Sequence, residues 1–404
     1  DFKMKKFYLI ANRDFSYVKE RLTIYFILVF AFFLSTASLS CVGSSAPIGL
    51  PTGVVVGENL YIGTMDQDIR SLSVDTGELV WVHQFDNKED GNIAFYSDPI
   101  INRDCKDCIQ GSIYFTSYNG KLYIVKLEDI DGQISPTLES GFRIGEGEPI
   151  VGGPALINDN LLIPSSDGKL YAYDLDKFTK SWEFSTTNKI STTPVINDSI
   201  IYFGSLDQNL YAVNAVDGSL FWDKPFKTNA AIVSKPLIVD QTIYIGSFDG
   251  VFYGIDVETG LEKARFSEAE GWYWGGAISD GETIFVGSLN GNIYALNKVD
   301  LSLKWNLDVE NSIVGSPLIV HDKLVFSSSD GRLKTVNLSD GQNMRQCKLD
   351  IKLKSNLVSN GNMIFISGDD HSIRGIVVSA NGNLNEEWVH YTDNEDPVPR
   401  DFDR

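Results

Sequence analysis

Residues 199–226 read SIIYFGSLDQNLYAVNAVDGSLFWDKPF, with β-branched and aromatic residues alternating around an Asp-Gln and an Asp-Gly turn. Alternation interrupted by turn residues is typical of short antiparallel strands. Related stretches recur about every 40 residues, and each carries one or two small residues followed by an acidic or amide residue. These turn positions are Asp66, Asn119, Asp167, Asp207, Asp249, Asn290, Asp330 and Asp370. Repeats of this length predict a propeller or a solenoid.

Each repeat contains enough alternating sequence for four short strands. The innermost strand is expected to follow a proline that recurs as Pro154, Pro194, Pro236 and Pro317. Four antiparallel strands per repeat form a propeller blade, and a closed ring of blades leaves only short sheet edges. The sequence therefore predicts an all-β fold, an eight-bladed β-propeller of four-stranded antiparallel blades spanning residues 50–392.

Tryptophan provides an independent check on the repeat. It falls 15 residues after the turn position in four repeats and 18 residues after it in the last. The five residues are Trp81, Trp182, Trp222, Trp305 and Trp388, and the same offset of 15 holds Ile134, Ala264 and Arg345 in degenerate copies. A large ring at a fixed place on the outer strand can fill the wedge between neighbouring blades. We therefore expect a structural role for these tryptophans.

The repeat resembles the pyrroloquinoline-quinone-like propeller repeat, as in YIGSFDGVFYGIDVETG (residues 244–260) and FVGSLNGNIYALNKVD (residues 285–300). The resemblance implies a propeller over nearly the whole chain after its N-terminal segment. The family includes quinoprotein alcohol dehydrogenases, sensor domains and the propeller lipoprotein of the outer-membrane β-barrel assembly machinery. The last is similar to this chain in length and blade count. The fold is shared by all of them, so it does not by itself select a function.

The N-terminal segment, residues 1–40, has the pattern of an export signal or membrane anchor. Basic residues precede an apolar run from Leu22 to Leu34, small residues follow, and Cys41 comes directly after Ser40. This order favours a lipoprotein signal in which Cys41 is acylated, followed by a short linker at residues 41–49. The alternatives are an uncleaved anchor and cleavage to a secreted form. All three place the propeller outside the cytoplasm, on the periplasmic side of a membrane if the cell has two.

The formal net charge is −20. A surface with this charge repels phosphate backbones and anionic lipid headgroups. We therefore expect no nucleic-acid partner, and contact with the membrane only through the N-terminal segment. Residues 393–404 are predicted to form a polar C-terminal tail.

The four cysteines are Cys41, Cys105, Cys108 and Cys347. In an oxidising compartment Cys105 and Cys108 could close a small local disulfide, which leaves Cys347 as a buried thiol. The alternative is that the Cys-x-x-Cys pair is redox-active. Such pairs usually lie at the N-terminus of a helix, whereas this one is predicted to lie in a loop between strands.

The sequence contains no recognisable catalytic motif. None of the four histidines has a partner at metal-ligand spacing, and there is no Gly-x-Ser-x-Gly elbow or phosphate loop. Acidic turns such as Asp369-Asp370 leave a calcium role open, although none has EF-hand spacing. Quinoprotein dehydrogenases hold their quinone beneath an adjacent Cys-Cys pair, which this chain lacks. The aromatic run Trp272-Tyr273-Trp274 could stack a planar ligand, but it is also expected to pack or to line the channel mouth. We expect a non-catalytic protein without cofactor or metal.

Insertions in the second repeat suggest a partner-contacting patch. One lies at residues 102–110 and another near residues 131–140, and both are predicted to emerge on the same face. Binding residues often lie on loops carried by a rigid scaffold, so a patch containing Asp104, Lys106 and Asp107 is one hypothesis and a tolerated surface insertion is the other.

Two functions are consistent with these observations. The first is a membrane-tethered scaffold, monomeric within a complex, that binds envelope or membrane proteins in outer-membrane protein assembly. The alternative is a quinone-dependent oxidoreductase or ligand-sensing propeller that uses the central channel. Converging carboxylates in an aromatic channel would favour the alternative.

Overall fold

The computed structural model of the protein describes residues 53–86, 93–103, 111–130, 133–353 and 355–393. Within these ranges the chain forms 32 strands and no helix. The first sixteen strands are β1 (Gly53–Val56), β2 (Asn59–Gly63), β3 (Asp68–Ser73), β4 (Leu79–Gln84), β5 (Ile100–Asn102), β6 (Ser112–Thr116), β7 (Lys121–Ile130), β8 (Gln133–Arg143), β9 (Ala155–Ile157), β10 (Asn160–Pro164), β11 (Lys169–Asp174), β12 (Lys180–Ser185), β13 (Val195–Asn197), β14 (Ile200–Gly204), β15 (Asn209–Asn214) and β16 (Phe226–Lys227). The remainder are β17 (Leu237–Val239), β18 (Thr242–Gly246), β19 (Phe252–Asp256), β20 (Glu262–Phe266), β21 (Ile278–Ser279), β22 (Thr283–Gly287), β23 (Asn292–Asn297), β24 (Leu303–Asp308), β25 (Leu318–Val320), β26 (Lys323–Ser328), β27 (Arg332–Asn337), β28 (Arg345–Lys348), β29 (Val358–Asn360), β30 (Met363–Ser367), β31 (Ser372–Val378) and β32 (Leu384–Tyr391).

These strands form eight four-stranded antiparallel sheets, each made of four consecutive strands in chain order. The first strand of each sheet lies innermost. Inner strands β9, β13, β17 and β25 begin directly after a proline, because proline supplies no N–H to a ladder and suits the first position of a strand. The predicted eight-bladed β-propeller of four-stranded blades is confirmed.

The hydrophobic core lies between neighbouring blades. The second strand of a typical blade buries four of its five residues, as in β14. Third strands such as β15 are also buried on both faces, and each face packs against a neighbouring blade. One cluster joins Leu170 and Trp182 of blade 3 to Phe203 and Val213 of blade 4. Each buried side chain of this size contributes about 1.5–3 kcal/mol, so the blades are held mainly by their mutual packing.

The ring closes between blade 8 and blade 1 without a shared strand, because β29–β32 and β1–β4 each form a sheet of their own. Closure therefore depends on side chains and loops. An apolar cluster across this seam includes Leu60, Ile62, Phe365 and Trp388.

Blade 2 departs from the repeat in its outer hairpin. Strands β7 and β8 have 10 and 11 residues, and their hairpin continues to the pair Ile130 and Gln133. Ile134 is paired with Asp129 far out on this hairpin, whereas Glu139 lies opposite Ile124. The expectation that Ile134 occupies the tryptophan position is therefore wrong. The insertion near residues 131–140 is mostly paired strand rather than loop.

Each face of the ring carries two kinds of connection between strands. We call the turn face the one that carries the turns between second and third strands, with their acidic or amide residues, and the links between consecutive blades. The opposite face carries the remaining connections. Cys41, Asp104, Cys105, Lys106, Asp107 and Cys108, with residues 1–52 and 394–404, lie outside the described residues. No helix among the described residues could cross a membrane.

Candidate functional site

The turn face is organised by the side chains of its acidic and amide turn residues. In blade 3 the Asp167 carboxylate accepts hydrogen bonds from the Lys169 N–H at 2.9 Å and from the Tyr171 hydroxyl at 2.6 Å. Burial and the Asp167 charge raise the pKa of Tyr171, which keeps its hydroxyl protonated as the donor. Equivalent hydroxyl contacts link Asn119 to Tyr123, Asp207 to Tyr211, Asp249 to Tyr253 and Asn290 to Tyr294. These turn residues are thus engaged in the blades themselves.

Two turn carboxylates also hold the preceding link between blades. Asp207 accepts a hydrogen bond from the Thr187 N–H at 3.0 Å, and Asp249 accepts one from the Asn229 N–H at 2.9 Å. Among the described residues, no group of three or more His, Cys, Asp or Glu side chains could hold a metal ion.

Four of the outer-strand tryptophans lock their blade to the next one. The Nε1–H of Trp182 donates to the Ala215 carbonyl at 2.9 Å, and its ring lies against Gly218, which has φ +71°. A Cβ at Gly218 would lie 2.5 Å from this ring, so only glycine fits there. The same pairing joins Trp222 to Val257 and Gly260, Trp305 to Leu338 and Gly341, and Trp388 to Val74 and Gly77. Trp81 is half-buried and packs against the cluster at the seam of blades 1 and 2.

Near the turn face, five of the eight seams are filled by a phenylalanine from one blade and a tyrosine from the next. The tyrosine follows the turn residue by four positions, and the phenylalanine lies on or just after the fourth strand. Ring centroids are 4.6 Å apart for Phe85 and Tyr123, 5.3 Å for Phe184 and Tyr211, 5.4 Å for Phe226 and Tyr253, and 5.1 Å for Phe266 and Tyr294. Phe142 packs against the cluster that contains Tyr171.

The other three seams replace this tyrosine by a buried cation. Lys334 of blade 7, Arg374 of blade 8 and Arg70 of blade 1 are 3%, 7% and 8% exposed. The ladder registers place Leu307, Cys347 and His390 at the corresponding fourth-strand positions. Near the turn face, these three consecutive seams therefore hold a buried cation where the other five hold a tyrosine, while apolar clusters fill the rest of each seam. The sequence signal was present, since LYAVN-type strands become LKTVN, IRGIV and IRSLS.

A solvent-open cleft of about 300 Å³ lies at the seam of blades 6 and 7, where the aromatic pair is missing. Asp308 and Glu310 border it from blade 6, and Arg332, Lys334 and Met344 border it from blade 7. The Lys334 Nζ donates to the Ser328 hydroxyl and lies 3.9 Å from Asp330. Burial lowers the pKa of Lys334, and the charge of Asp330 opposes this shift.

Restoring the aromatic pair at this seam should stabilise the propeller. We expect Leu307→Phe combined with Lys334→Tyr to raise the free energy of unfolding by about 1–3 kcal/mol, because it restores the aromatic contact of the other seams and removes a buried cation. The measurement is guanidinium unfolding of the double variant. The reverse exchange, Phe184→Leu with Tyr211→Lys, is the control and should destabilise. A double variant less stable than both single variants would contradict this view of the seam.

At the seam of blades 7 and 8, Arg374 donates to Glu386 at 2.8 Å and to Asp370 at 3.1 Å. Cys347 is a half-buried free thiol. Burial, followed by the charge of Glu386, raises the pKa of this thiol, so it stays protonated near neutral pH.

The ring-closing seam of blades 8 and 1 holds the most connected polar network. Arg70 makes a bidentate contact with Asp68, and its Nη2 also donates to the Thr392 carbonyl. Its Nη1 lies 3.2 Å from the Nε2 of His390. The Nδ1 of His371 lies 2.8 Å from the Asp66 carboxylate, which the Thr392 hydroxyl also contacts. Side chains from both blades thus close the ring.

This seam should be sensitive to acid. Burial, followed by the charge of Arg70, lowers the pKa of His390, while Asp68 and a bond to the Gly77 backbone oppose the shift. The unfolded chain therefore takes up the proton more readily, and stability that is fully present above about pH 6.5 is lost as the pH falls from that value through the lower pKa of the folded state. We expect a lower unfolding midpoint at about pH 5.5 than at about pH 7.5. His390→Gln should reduce this difference, and an unchanged difference in the variant would contradict it.

The residues just before the inner strands form a ring at the channel entrance on the turn face. Hydrogen bonds join this ring from blade to blade, with the Gly153 N–H donating to Thr193, the Gly276 N–H to Ser316, and the Ser316 N–H to Asn356. The described members are Asp98, Gly153, Thr193, Lys235, Gly276, Ser316 and Asn356. They include one carboxylate and one ammonium group, so the converging carboxylates that would favour catalysis are not brought together by these seven residues.

An aromatic cluster lies on the turn face at blades 5 and 6. The ring of Phe248 stacks on Trp272 with centroids 5.1 Å apart and lies 5.6 Å from Trp274. Trp272 is 36% exposed and Trp274 is 49% exposed. Tyr273 between them is fully buried. In this aromatic run the middle ring therefore packs in the core and the outer rings face solvent, whereas stacking of a planar ligand stays a prediction.

The comparisons with known proteins agree with the fold. The protein family described as "Outer membrane protein assembly factor BamB" matches residues 42–184, 166–270 and 262–397. A BamB of Moranella endobia (strain PCIT) is 21% identical over 278 residues, which is 56% of this chain and 72% of that protein.

Two solved structures share the architecture. The computationally designed Ika8 protein has a TM-score of 0.63 and 14% identity, covering 86% of this chain and 97% of its own. BamB from Moraxella catarrhalis has a TM-score of 0.50 and 18% identity, covering 59% of this chain and 71% of its own. These structural likenesses show the fold alone, whereas the sequence match extends through all eight blades. The chain therefore belongs to the family of the outer membrane protein assembly factor BamB.

Proposed function

We propose that this protein is a non-catalytic scaffold in outer-membrane protein assembly, tethered to a membrane and exposed to the extracytoplasmic side. The observation that carries the proposal is the family match over residues 42–397, together with the relative from Moranella endobia that bears the same name. The geometry adds support, because the turn acids are engaged within and between blades and leave a rigid ring with exposed side chains on its turn face.

The tether in this proposal is a lipid on Cys41, and Cys105 and Cys108 form a local disulfide. Both would follow from export to an oxidising compartment. The partners are envelope or membrane proteins, and the protein is monomeric within the complex. A partner contact in this proposal is the patch of Asp104, Lys106 and Asp107, which falls in the sequence between the first and second strands of blade 2.

The test is affinity capture of the tagged full-length chain from gently solubilised envelopes, followed by mass spectrometry of its partners and of its N-terminal peptide. We expect subunits of a barrel-assembly complex and a diacylated Cys41. Cys41→Ser is the control and should release the chain from the membrane fraction without unfolding it. Recovery of the chain alone, with a quinone or metal in its intact mass, would overturn the scaffold in favour of an oxidoreductase or ligand sensor that uses the channel.

A further inference from the structure

The aromatic cluster of Phe248, Trp272 and Trp274 is not required by the propeller architecture. The position of Phe248 is serine in blades 3 and 7, at Ser166 and Ser329. The position of Trp272 is Ala231 one link earlier and Ser312 one link later, and that of Trp274 is Val233 and Val314. Blades with these smaller residues form the same strands, so the three rings add something that the fold does not need.

The backbone beneath the cluster is fixed. The Trp272 carbonyl accepts hydrogen bonds from the Leu289 N–H at 2.9 Å and from the Ser288 hydroxyl at 3.2 Å. Tyr273 is fully buried in the place that Ile232 and Ile313 occupy at other links. Gly246 makes room for it, since a Cβ there would lie 2.2 Å from Tyr273. A rigid backbone presents the outer rings in one arrangement, which lowers the entropy lost on binding.

The charge around the cluster indicates what it binds. Glu268 and Glu270 precede Trp272 on the same link, and both are exposed. The faces of indole and phenyl rings carry a negative quadrupole that attracts a guanidinium or ammonium group within about 6 Å. Two exposed carboxylates within four residues of Trp272 on the same link give this part of the chain a local negative charge, which favours a cation over an anion. In the same blade, the guanidinium of Arg265 lies 5.5 Å over the ring of Tyr253, so a cation already meets an aromatic ring in this blade.

We propose that this cluster binds an arginine or lysine side chain in an extended segment of a protein partner. Arginine is favoured, because its planar guanidinium stacks on aromatic rings while its stem covers apolar surface. The partner's being an envelope protein rests on the proposed function. The preference for a cation rests on the rings and carboxylates alone. An experiment can therefore contradict the cation preference without contradicting the proposed function, and the reverse.

The first experiment measures binding of a short synthetic peptide to the full chain by ligand-observed NMR. The probe is a Gly-Ser peptide with one central arginine, and the comparison peptide has neutral citrulline at that position. We expect the arginine peptide to bind about fivefold more tightly, as cation–π contacts at exposed sites allow. The preference should disappear in Phe248→Leu combined with Trp274→Leu, and it should weaken in Glu268→Gln combined with Glu270→Gln.

A matched control keeps the result specific to this surface. Val216 and Val299 are 82% and 73% exposed on the opposite face, so Val216→Ala with Val299→Ala removes exposed apolar surface elsewhere and should leave peptide binding unchanged. Unfolding midpoints of all variants should match the wild type. Equal binding of both peptides, or a preference that survives loss of Phe248 and Trp274, would overturn the proposal. Binding to phosphatidylcholine vesicles without an arginine preference would assign the cluster to a lipid headgroup and would also overturn it.

The same variants can be used in the affinity capture from envelopes. That experiment tests docking at the cluster separately from the proposed scaffold function. Loss of most captured partner with the Phe248 and Trp274 variant, but not with the Val216 and Val299 variant, would support docking at the cluster. Undiminished capture with the cluster variant would overturn docking there while leaving the scaffold intact.

Discussion

Trp388→Ala is expected to lower the free energy of unfolding by about 3–5 kcal/mol, the range for deleting a large buried aromatic side chain. Trp388 is 8% exposed, and its Nε1–H donates to the Val74 carbonyl at 2.8 Å. Its ring lies against Gly77 of blade 1, so this contact joins the last blade of the chain to the first. Because no strand is shared across this seam, the loss removes both packing and a hydrogen bond from the closure of the ring. Guanidinium unfolding followed by circular dichroism measures it.

The control is Trp274→Ala, which makes the same chemical change at a ring that is 49% exposed. Surface substitutions usually change stability by about 0.5 kcal/mol or less. If Trp388→Ala costs no more than Trp274→Ala, the tryptophan contact does not hold the ring closed. A variant that begins to unfold from its terminal blades before the others would support the role of Trp388 in closure.

The fold was predictable because its main signals are periodic. The turn residues repeat at nearly constant spacing, and a turn needs the same side-chain chemistry in every blade. Trp182 and Trp305 are spaced so as to reach the next blade, so the sequence spacing reports a real contact. Periodicity failed in blade 2, where the hairpin is longer and Ile134 lies beyond the tryptophan position.

The seams were harder to predict, because each is built from two blades. The phenylalanine of each pair lies about 30 residues before the tyrosine in the sequence. Their contact can be predicted only when the register between blades is known. The replacement of tyrosine by Lys334 or Arg374 was visible in the sequence as a break in the LYAVN pattern. The sequence did not show that these cations are buried, whereas the structure places them beside Asp330 and Asp370.

The aromatic cluster illustrates the same point for function. The run Trp272-Tyr273-Trp274 stood out in the sequence, but the sequence did not show which of its rings are buried and which are exposed. Neighbouring residues on an extended link point in opposite directions, so Tyr273 turns into the core while Trp272 and Trp274 turn outward. Phe248 comes from a different blade and joins them only through the fold.

Asp68→Asn is expected to destabilise the protein by about 3–5 kcal/mol, because it leaves the buried Arg70 charge without its counterion. Asp68 is fully buried and Arg70 is 8% exposed, so water cannot replace the lost carboxylate. The Arg70 Nε and Nη2 atoms lie 2.9 Å and 2.7 Å from the Asp68 Oδ2. Asparagine keeps the size of the side chain, and the change therefore isolates charge from packing. Denaturant unfolding at neutral pH measures the loss.

Two further variants decide whether the cost comes from the unpaired charge. Adding Arg70→Met to Asp68→Asn removes the buried cation as well and should recover much of the stability, since a buried ion pair can often be replaced by apolar residues at little cost. Glu183→Gln breaks the half-exposed contacts to Lys169 and Lys180, and should cost about 1 kcal/mol or less. If Asp68→Asn costs as little as Glu183→Gln, the Arg70 network does not stabilise the seam. If the double variant is no better than Asp68→Asn alone, the contacts of Arg70 to Thr392 and His390, rather than its pairing with Asp68, hold blades 8 and 1 together.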